Sequence, residues 1–167
     1  MDPWKPLRPI GWIAVGLGVL DLLRFRSFPA ALILELPSVI ASFVCGWALL
    51  RRHRTALLAT STAGGVILAD ALVSMVLIAP LVWRKLAEQD LDRPEGLAIA
   101  ITWLLLYGFQ VIFWPYAAAR VMRDQAAAIP RAYANHTRST VIASFFICGW
   151  MSLVVQLWAK VVFFGLV

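Results

Sequence analysis

Long apolar runs alternate with short charged segments along this chain of 167 residues. A helix that crosses a bilayer needs about 20 mostly apolar residues, because the hydrocarbon core is about 30 Å thick. The pattern therefore predicts an all-α fold, a polytopic transmembrane bundle of five helices that forms a single domain over residues 1–167. The predicted spans cover residues 9–23, 30–50, 56–83, 97–119 and 140–167.

The first predicted span is the shortest, and Asp21 interrupts it near its end. Such a segment crosses the bilayer, lies in the interface or re-enters from one side, and the last two arrangements would leave four spans. A basic flank ahead of a short apolar run is also found in signal peptides. Because no small-residue cleavage site follows before Arg24, we expect an uncleaved helix.

Composition supports a membrane protein. The chain is 62% hydrophobic and 14% charged, and its mean hydropathy is +0.81. A soluble domain is about 45–50% apolar and about 25% charged, so this much apolar surface exceeds what a soluble core of this size can bury. The net charge is +6, but no basic patch with interleaved aromatic residues accompanies it. We therefore expect the basic loops to contact the lipid bilayer and not nucleic acid.

The positive-inside rule predicts the orientation from Lys and Arg alone. With the N-terminus in the cytoplasm, nine basic residues lie on the cytoplasmic side and five on the other side. We expect a multi-pass protein of the bacterial inner membrane with its C-terminus outside. The cytoplasmic set is Lys5, Arg8, Arg51, Arg52, Arg54, Arg120, Arg123, Arg131 and Arg138, and the outer set is Arg24, Arg26, Arg84, Lys85 and Arg93.

Short motifs occur in a fixed order along the first four spans. Gly11-Trp12 opens the first span, Glu35 lies early in the second, and Trp114-Pro115-Tyr116 closes the fourth, before Arg120-Val121. In this order they resemble an uncharacterised family of small bacterial four-helix integral membrane proteins, over residues 9–124. The resemblance implies a membrane bundle and supplies no activity. The fifth predicted span lies beyond the four helices of that family.

Signatures of soluble enzymes such as H-E-x-x-H, G-x-S-x-G or a Walker loop do not occur in the sequence, and we expect no enzymatic activity. Cys45 and Cys148 lie in apolar runs and form no Cys-x-x-Cys pair, so we expect no metal site. His53 and His136 lie in polar loops outside the spans, and we expect no haem or other cofactor. An enzyme acting on lipid would have to rely on Asp124 and His136.

The candidate chemistry lies in polar residues inside the spans. A charge in the bilayer is costly and usually faces the bundle interior, where it finds a partner. At a rise of about 1.5 Å per residue, Asp21, Glu35 and Asp70 lie about 18–22 Å from the cytoplasmic ends of their spans. Gln110 and Gln156 lie at about 14 Å and about 24 Å by the same measure. The three acids are therefore predicted to share one layer.

Two interpretations of this layer compete. In the structural one, the acids are partly protonated or pair with Arg24, Arg26 and Lys160, and they fix the register and contacts of the helices. In the other, Asp21, Glu35 and Asp70 converge on a cation or proton site, where burial favours the protonated acid and makes proton exchange feasible near neutral pH. The proline after Glu35-Leu36 frees a backbone carbonyl, a feature of broken helices that line ion sites. A lipid or cofactor pocket is a third possibility.

The end of the fourth span is a candidate interface site. Trp114 and Tyr116 flank a proline there, and Arg120 and Arg123 follow in the cytoplasmic segment. Aromatic side chains anchor helices at the headgroup level, and arginine binds lipid phosphates. We expect Trp114 and Tyr116 to anchor the helix in the interface. The alternative is a site for a lipid headgroup formed with Arg120 and Arg123.

We expect a chain of this kind, with little outside the membrane, to act by contact with other proteins. We expect a small accessory or structural subunit of a bacterial membrane assembly, whose partners are other membrane subunits or copies of itself. Small residues at Gly64 and Gly65, and at Ala14 and Gly18, which are four positions apart, would let helices approach closely. The alternative is a proton- or cation-coupled channel or transporter that uses the layer of acids.

Overall fold

The computed structural model describes residues 4–25, 31–53, 55–87, 94–128 and 138–163. These residues form five α-helices, preceded by a 3-10 turn at Lys5–Leu7, and contain no β-strand. The prediction of an all-α fold with five helices is therefore confirmed. The helices are α1 (Arg8–Phe25), α2 (Ala31–Leu50), α3 (Ala56–Ala87), α4 (Pro94–Ala128) and α5 (Arg138–Phe163).

Among the described residues, four helical stretches are long and apolar enough to cross a membrane, by length and composition. They belong to α1, α3, α4 and α5, while α2 contains a shorter apolar stretch, Glu35–Leu50. From the sequence, the first segment could cross the bilayer, lie in the interface or re-enter. It is long enough to cross because the 3-10 turn at Lys5–Leu7 extends α1. The four stretches are Lys5–Leu23, Ala56–Arg84, Leu97–Arg123 and Ser139–Val162.

Two helices extend beyond the apolar runs that predict them. Helix α4 continues from the predicted end at residue 119 to Ala128, and α3 continues from residue 83 to Ala87. Residues such as Arg, Met, Gln and Ala have high helix propensity, so a helix does not stop where hydrophobicity stops. Each of these helices also continues through an internal proline, Pro115 in α4 and Pro80 in α3.

Helix α3 lies at the centre of the bundle. It packs against α2, α4 and α5, while α1 packs mainly against α2. Gly11 at the start of α1 lies beside Leu49 at the end of α2, so these two helices are antiparallel. Cys45 late in α2 lies 3.4 Å from Thr60 early in α3, so this pair is antiparallel as well.

The hydrophobic core is one cluster toward the end of the bundle where α1 begins and α2 ends. Its members come from the turn before α1 and from α1 to α4, and within the described ranges α5 contributes none. The buried acids Asp21, Glu35 and Asp70 of α1, α2 and α3 lie nearer the other end. The core residues are Leu7, Ile10, Ala14, Leu17, Cys45, Ala48, Leu49, Ala56, Ala63, Ile67, Phe113, Trp114, Ala117 and Val121.

Helix α5 packs on the outside of α3 and runs parallel to it. Ser61 donates a hydrogen bond to the carbonyl of Val141 at 2.6 Å, and further along both helices Gly65 faces Gly149. A Cβ atom at Gly65 would overlap the carbonyl oxygen of Phe145 and lie 3.0 Å from the amide nitrogen of Gly149. Absence of a side chain at Gly65 therefore sets the distance between the two helices.

We expect Gly65→Ala to lower the stability of the bundle by about 1–3 kcal/mol, because the methyl group must push backbone atoms apart. The measurement is the thermal unfolding midpoint in detergent, followed by circular dichroism. The matched control is Gly108→Ala on α4, where an added Cβ would meet no atom within 4 Å. An equal effect of the two substitutions would contradict the close contact of α3 with α5.

Candidate functional site

The most prominent polar group in the interior is an ion pair between α3 and α5. The ammonium Nζ of Lys160 lies 2.5 Å from Oδ1 of Asp70 and donates a second hydrogen bond to the hydroxyl of Ser74 at 2.6 Å. Ser38 of α2 donates to the other carboxylate oxygen, Oδ2, at 3.0 Å. All four side chains are buried. Both charged groups therefore have an opposite charge and a hydroxyl as hydrogen-bonding partners inside the bundle.

This geometry has a clear physical consequence. An isolated charge inside a protein or a bilayer carries a desolvation cost of several kcal/mol, which a well-placed opposite charge offsets. Lys160 and Asp70 are overall neutral as a pair, and the serine hydroxyls supply further hydrogen bonds. Removal of one partner would leave the other charged and buried. The pair therefore fixes where α5 lies along α3.

The other two acids bond to neutral side chains of α4. Asp21 of α1 accepts from the amide of Gln110, with Nε2 at 3.3 Å and 3.4 Å from the two carboxylate oxygens. Glu35 of α2 accepts from the hydroxyl of Tyr107 at 3.1 Å. Tyr107 and Gln110 are three residues apart on α4 and therefore lie on one face of that helix. This face of α4 thus meets an acid from α1 and an acid from α2.

The three groups form one layer across the bundle. Glu35 and Ser38 are also three residues apart, so α2 bonds to α4 through the first and to α3 through the second. Asp21 adds α1, and Lys160 adds α5. We call these eight side chains the polar layer, and every helix contributes to it. Its members are Asp21, Glu35, Ser38, Asp70, Ser74, Tyr107, Gln110 and Lys160.

The acids of the polar layer have different partners. Asp21 bonds to Gln110, Glu35 to Tyr107 and Asp70 to Lys160. In the described part of the chain, no group of three or more His, Cys, Asp or Glu side chains is placed to hold a metal ion. The side chains of Arg24 and Arg26, named above as pairing partners, lie outside the described residues. The Lys160 contact is the one that the structural interpretation of the layer anticipates.

The remaining predicted site residues are separated by the structure. Gln156 is buried on α5, one turn before Lys160. Tyr116 is 59% exposed and Arg123 is exposed, as interface residues would be. Arg120 is half-buried.

Trp114 is fully buried in the hydrophobic core, and the expectation that it anchors the helix at the membrane surface is not met. The prediction placed Trp114 at the surface because the apolar run ends soon after it. However, α4 continues for more than three turns beyond Trp114, and the face it shares with Gln110, Ala117 and Val121 is turned inward. The burial of Trp114 is therefore decided by the face of α4 on which it lies, and not by its distance from the end of the apolar run.

Three members of the polar layer were not predicted from the sequence. Ser38 and Ser74 are common residues in membrane helices, and Tyr107 resembles an ordinary aromatic residue of an apolar run. The signal that points to them is spacing. Ser38 lies three residues after Glu35, Ser74 four after Asp70 and Tyr107 three before Gln110, so each shares a helix face with a predicted residue.

Comparisons of this chain with protein-family models, with curated proteins and with solved structures found no match. The resemblance to the four-helix membrane family stays a prediction.

We expect Asp70→Asn and Lys160→Met each to lower stability by about 3–5 kcal/mol, because each leaves one uncompensated buried charge. The double variant Asp70→Asn/Lys160→Met removes both charges and should recover most of the loss. Unfolding midpoints in detergent provide the measurement. Additive losses in the double variant would contradict a coupled ion pair.

Proposed function

We propose that this chain is a multi-pass protein of the bacterial inner membrane. The observation that supports this most is the distribution of polarity. Among the described side chains, large apolar residues cover the outside, while six acid, glutamine and lysine side chains are buried: Asp21, Glu35, Asp70, Gln110, Gln156 and Lys160. Such a distribution suits lipid as the surrounding solvent. Trp12, Leu105, Ile112, Phe146, Trp150 and Trp158 are among the exposed apolar residues.

The proposed orientation has the N-terminus in the cytoplasm and the C-terminus outside. Five crossings would place the two ends on opposite sides. The antiparallel packing of α2 against α1 and against α3 supports α2 as one of the five, although its apolar stretch is shorter than the others. The positive-inside rule selects the direction.

We propose that the protein acts by contact, as a small accessory or structural subunit. The acids that could have formed an ion site are engaged with other helices, and Asp70 has a cationic partner within the same chain. In the described part of the chain, α5 makes most of its contacts with α3, and its outer face is apolar and exposed. The proposed partner is another membrane subunit or a second copy, and the proposal includes no enzymatic activity, cofactor or nucleic acid.

Extraction in a mild detergent at native expression levels tests this proposal. We expect a particle whose protein mass exceeds the 18.5 kDa of one chain, measured by native mass spectrometry. Phe146→Ala/Trp150→Ala on the outer face of α5 should reduce this mass to that of the single chain. Leu105→Ala/Ile112→Ala on α4 is the control and should leave it unchanged. A monodisperse single chain from the unmodified protein would overturn the proposal.

A second candidate is proton or cation transfer through the polar layer. The specific observation in its favour is the oxygen surroundings of the Lys160 ammonium, which is held by a carboxylate and a hydroxyl as a bound cation would be. If a proton or cation replaced this ammonium, Asp70 would be the group that exchanges it.

Flux measurements in proteoliposomes test this candidate. We expect Asp70→Asn/Lys160→Met, which retains the neutral charge balance, to abolish a proton or alkali-cation flux that the unmodified protein carries. Thr102→Val, on the exposed face of α4, serves as the control for reconstitution. A flux that persists in the double variant would exclude Asp70 and Lys160 as the transfer site.

A further inference from the structure

Three helices carry the same pair of side chains at one end of the bundle. Each pair is an exposed aromatic residue and a basic residue four positions apart, so the two share a helix face. The pairs are Arg8 with Trp12 on α1, Trp47 with Arg51 at the end of α2, and Tyr116 with Arg120 on α4. The three aromatic side chains are 65%, 53% and 59% exposed, in that order.

The three pairs lie at the same end. Leu7, Leu49, Ala56 and Val121 belong to one buried cluster, which brings together the start of α1, the end of α2, the start of α3 and the late part of α4. In each pair the basic residue is the one nearer this end. A separation of four residues corresponds to about 6 Å along a helix, so the backbone of each basic residue lies nearer this end than that of its aromatic partner by that distance.

Further positive charge surrounds the pairs. Lys5, Arg52 and Arg123 are exposed at the same end. Within the described segments 4–8, 51–53 and 120–123, six residues are basic and none is acidic, although Asp124 follows the last segment in the sequence. His53 packs its ring 5.3 Å from that of Trp47 and bonds to Thr55, which holds the turn between α2 and α3 against the second pair.

We infer that this end of the bundle is a binding surface for anionic phospholipid headgroups. The guanidinium groups of Arg8, Arg51 and Arg120 have the planar donor geometry that binds phosphate oxygens. In the proposed membrane orientation, the rings of Trp12, Trp47 and Tyr116 would lie at the headgroup level, where indole and phenol side chains contact both acyl chains and headgroups. The inference rests on the proposal that the chain spans a membrane.

The chemistry favours a lipid over a soluble anion. The pairs lie on the outer faces of separate helices, where three aromatic rings face the same medium as the apolar flanks of the bundle. A free phosphate would use the basic groups and gain nothing from the rings. A phospholipid engages both, because its phosphate and its acyl chains are joined in one molecule.

The test is competitive lipid binding to the full chain in detergent, measured by native mass spectrometry with phosphatidylglycerol and phosphatidylcholine of equal acyl length. We expect the unmodified protein to retain phosphatidylglycerol at least tenfold better. The variant Arg8→Gln/Arg51→Gln/Arg120→Gln should lose this preference, while Arg84→Gln, on an exposed residue at the other end of α3, should keep it. Circular dichroism confirms that the variants are folded.

Each outcome decides the inference. Equal retention of the two lipids by the unmodified protein, or an unchanged preference in the triple variant, would overturn it. Displacement of phosphatidylglycerol by millimolar inorganic phosphate would also overturn it, in favour of a soluble anion. Failure of membrane insertion is measured separately by alkaline extraction of native membranes, and it would count against the proposed membrane location itself.

Discussion

The constraint on which this structure depends is that polar groups buried between the helices need hydrogen-bonding or ionic partners. Five helices cannot be arranged freely when each of them carries an ionisable or strongly hydrogen-bonding side chain that faces inward. The ion pair of Lys160 with Asp70 fixes α5 on α3, and Ser38 ties α2 to the same carboxylate. Asp21 and Glu35 then locate α4 through Gln110 and Tyr107. A shift of any helix by one turn would break one of these contacts and leave a polar group unpaired in an apolar interior.

Between these contacts, the helices are held by close packing of small side chains. Helix α3 is central because it carries both kinds of contact. Asp70 and Ser74 supply the polar ones, and Gly64 and Gly65 let α5 approach its backbone. Bulky apolar residues are left for the outside, where lipid can cover them. The polar layer thus decides which faces meet, and the small residues decide how closely.

The fold was largely predictable because length and hydrophobicity of a run dictate a membrane helix almost alone. Errors arose where a different property governs the outcome. The ends of α3 and α4 follow helix propensity, which continues past the apolar residues. Burial of Trp114 follows the rotation of α4, which hydropathy along the chain does not reveal. For the same reason Tyr107 was not singled out, although its spacing from Gln110 places both on one face.

The sequence by itself determined the number of helices, their alternating directions and the common depth of Asp21, Glu35 and Asp70, because depth depends only on the fixed rise of a helix and on where it starts. The tertiary structure decided which of these side chains are in contact. Lys160 and Asp70 are 90 positions apart, and their contact depends on α5 packing parallel to α3 with the correct faces turned together. Lateral neighbours and rotation about each axis result from the packing of all five helices at once, so no single run of residues contains them.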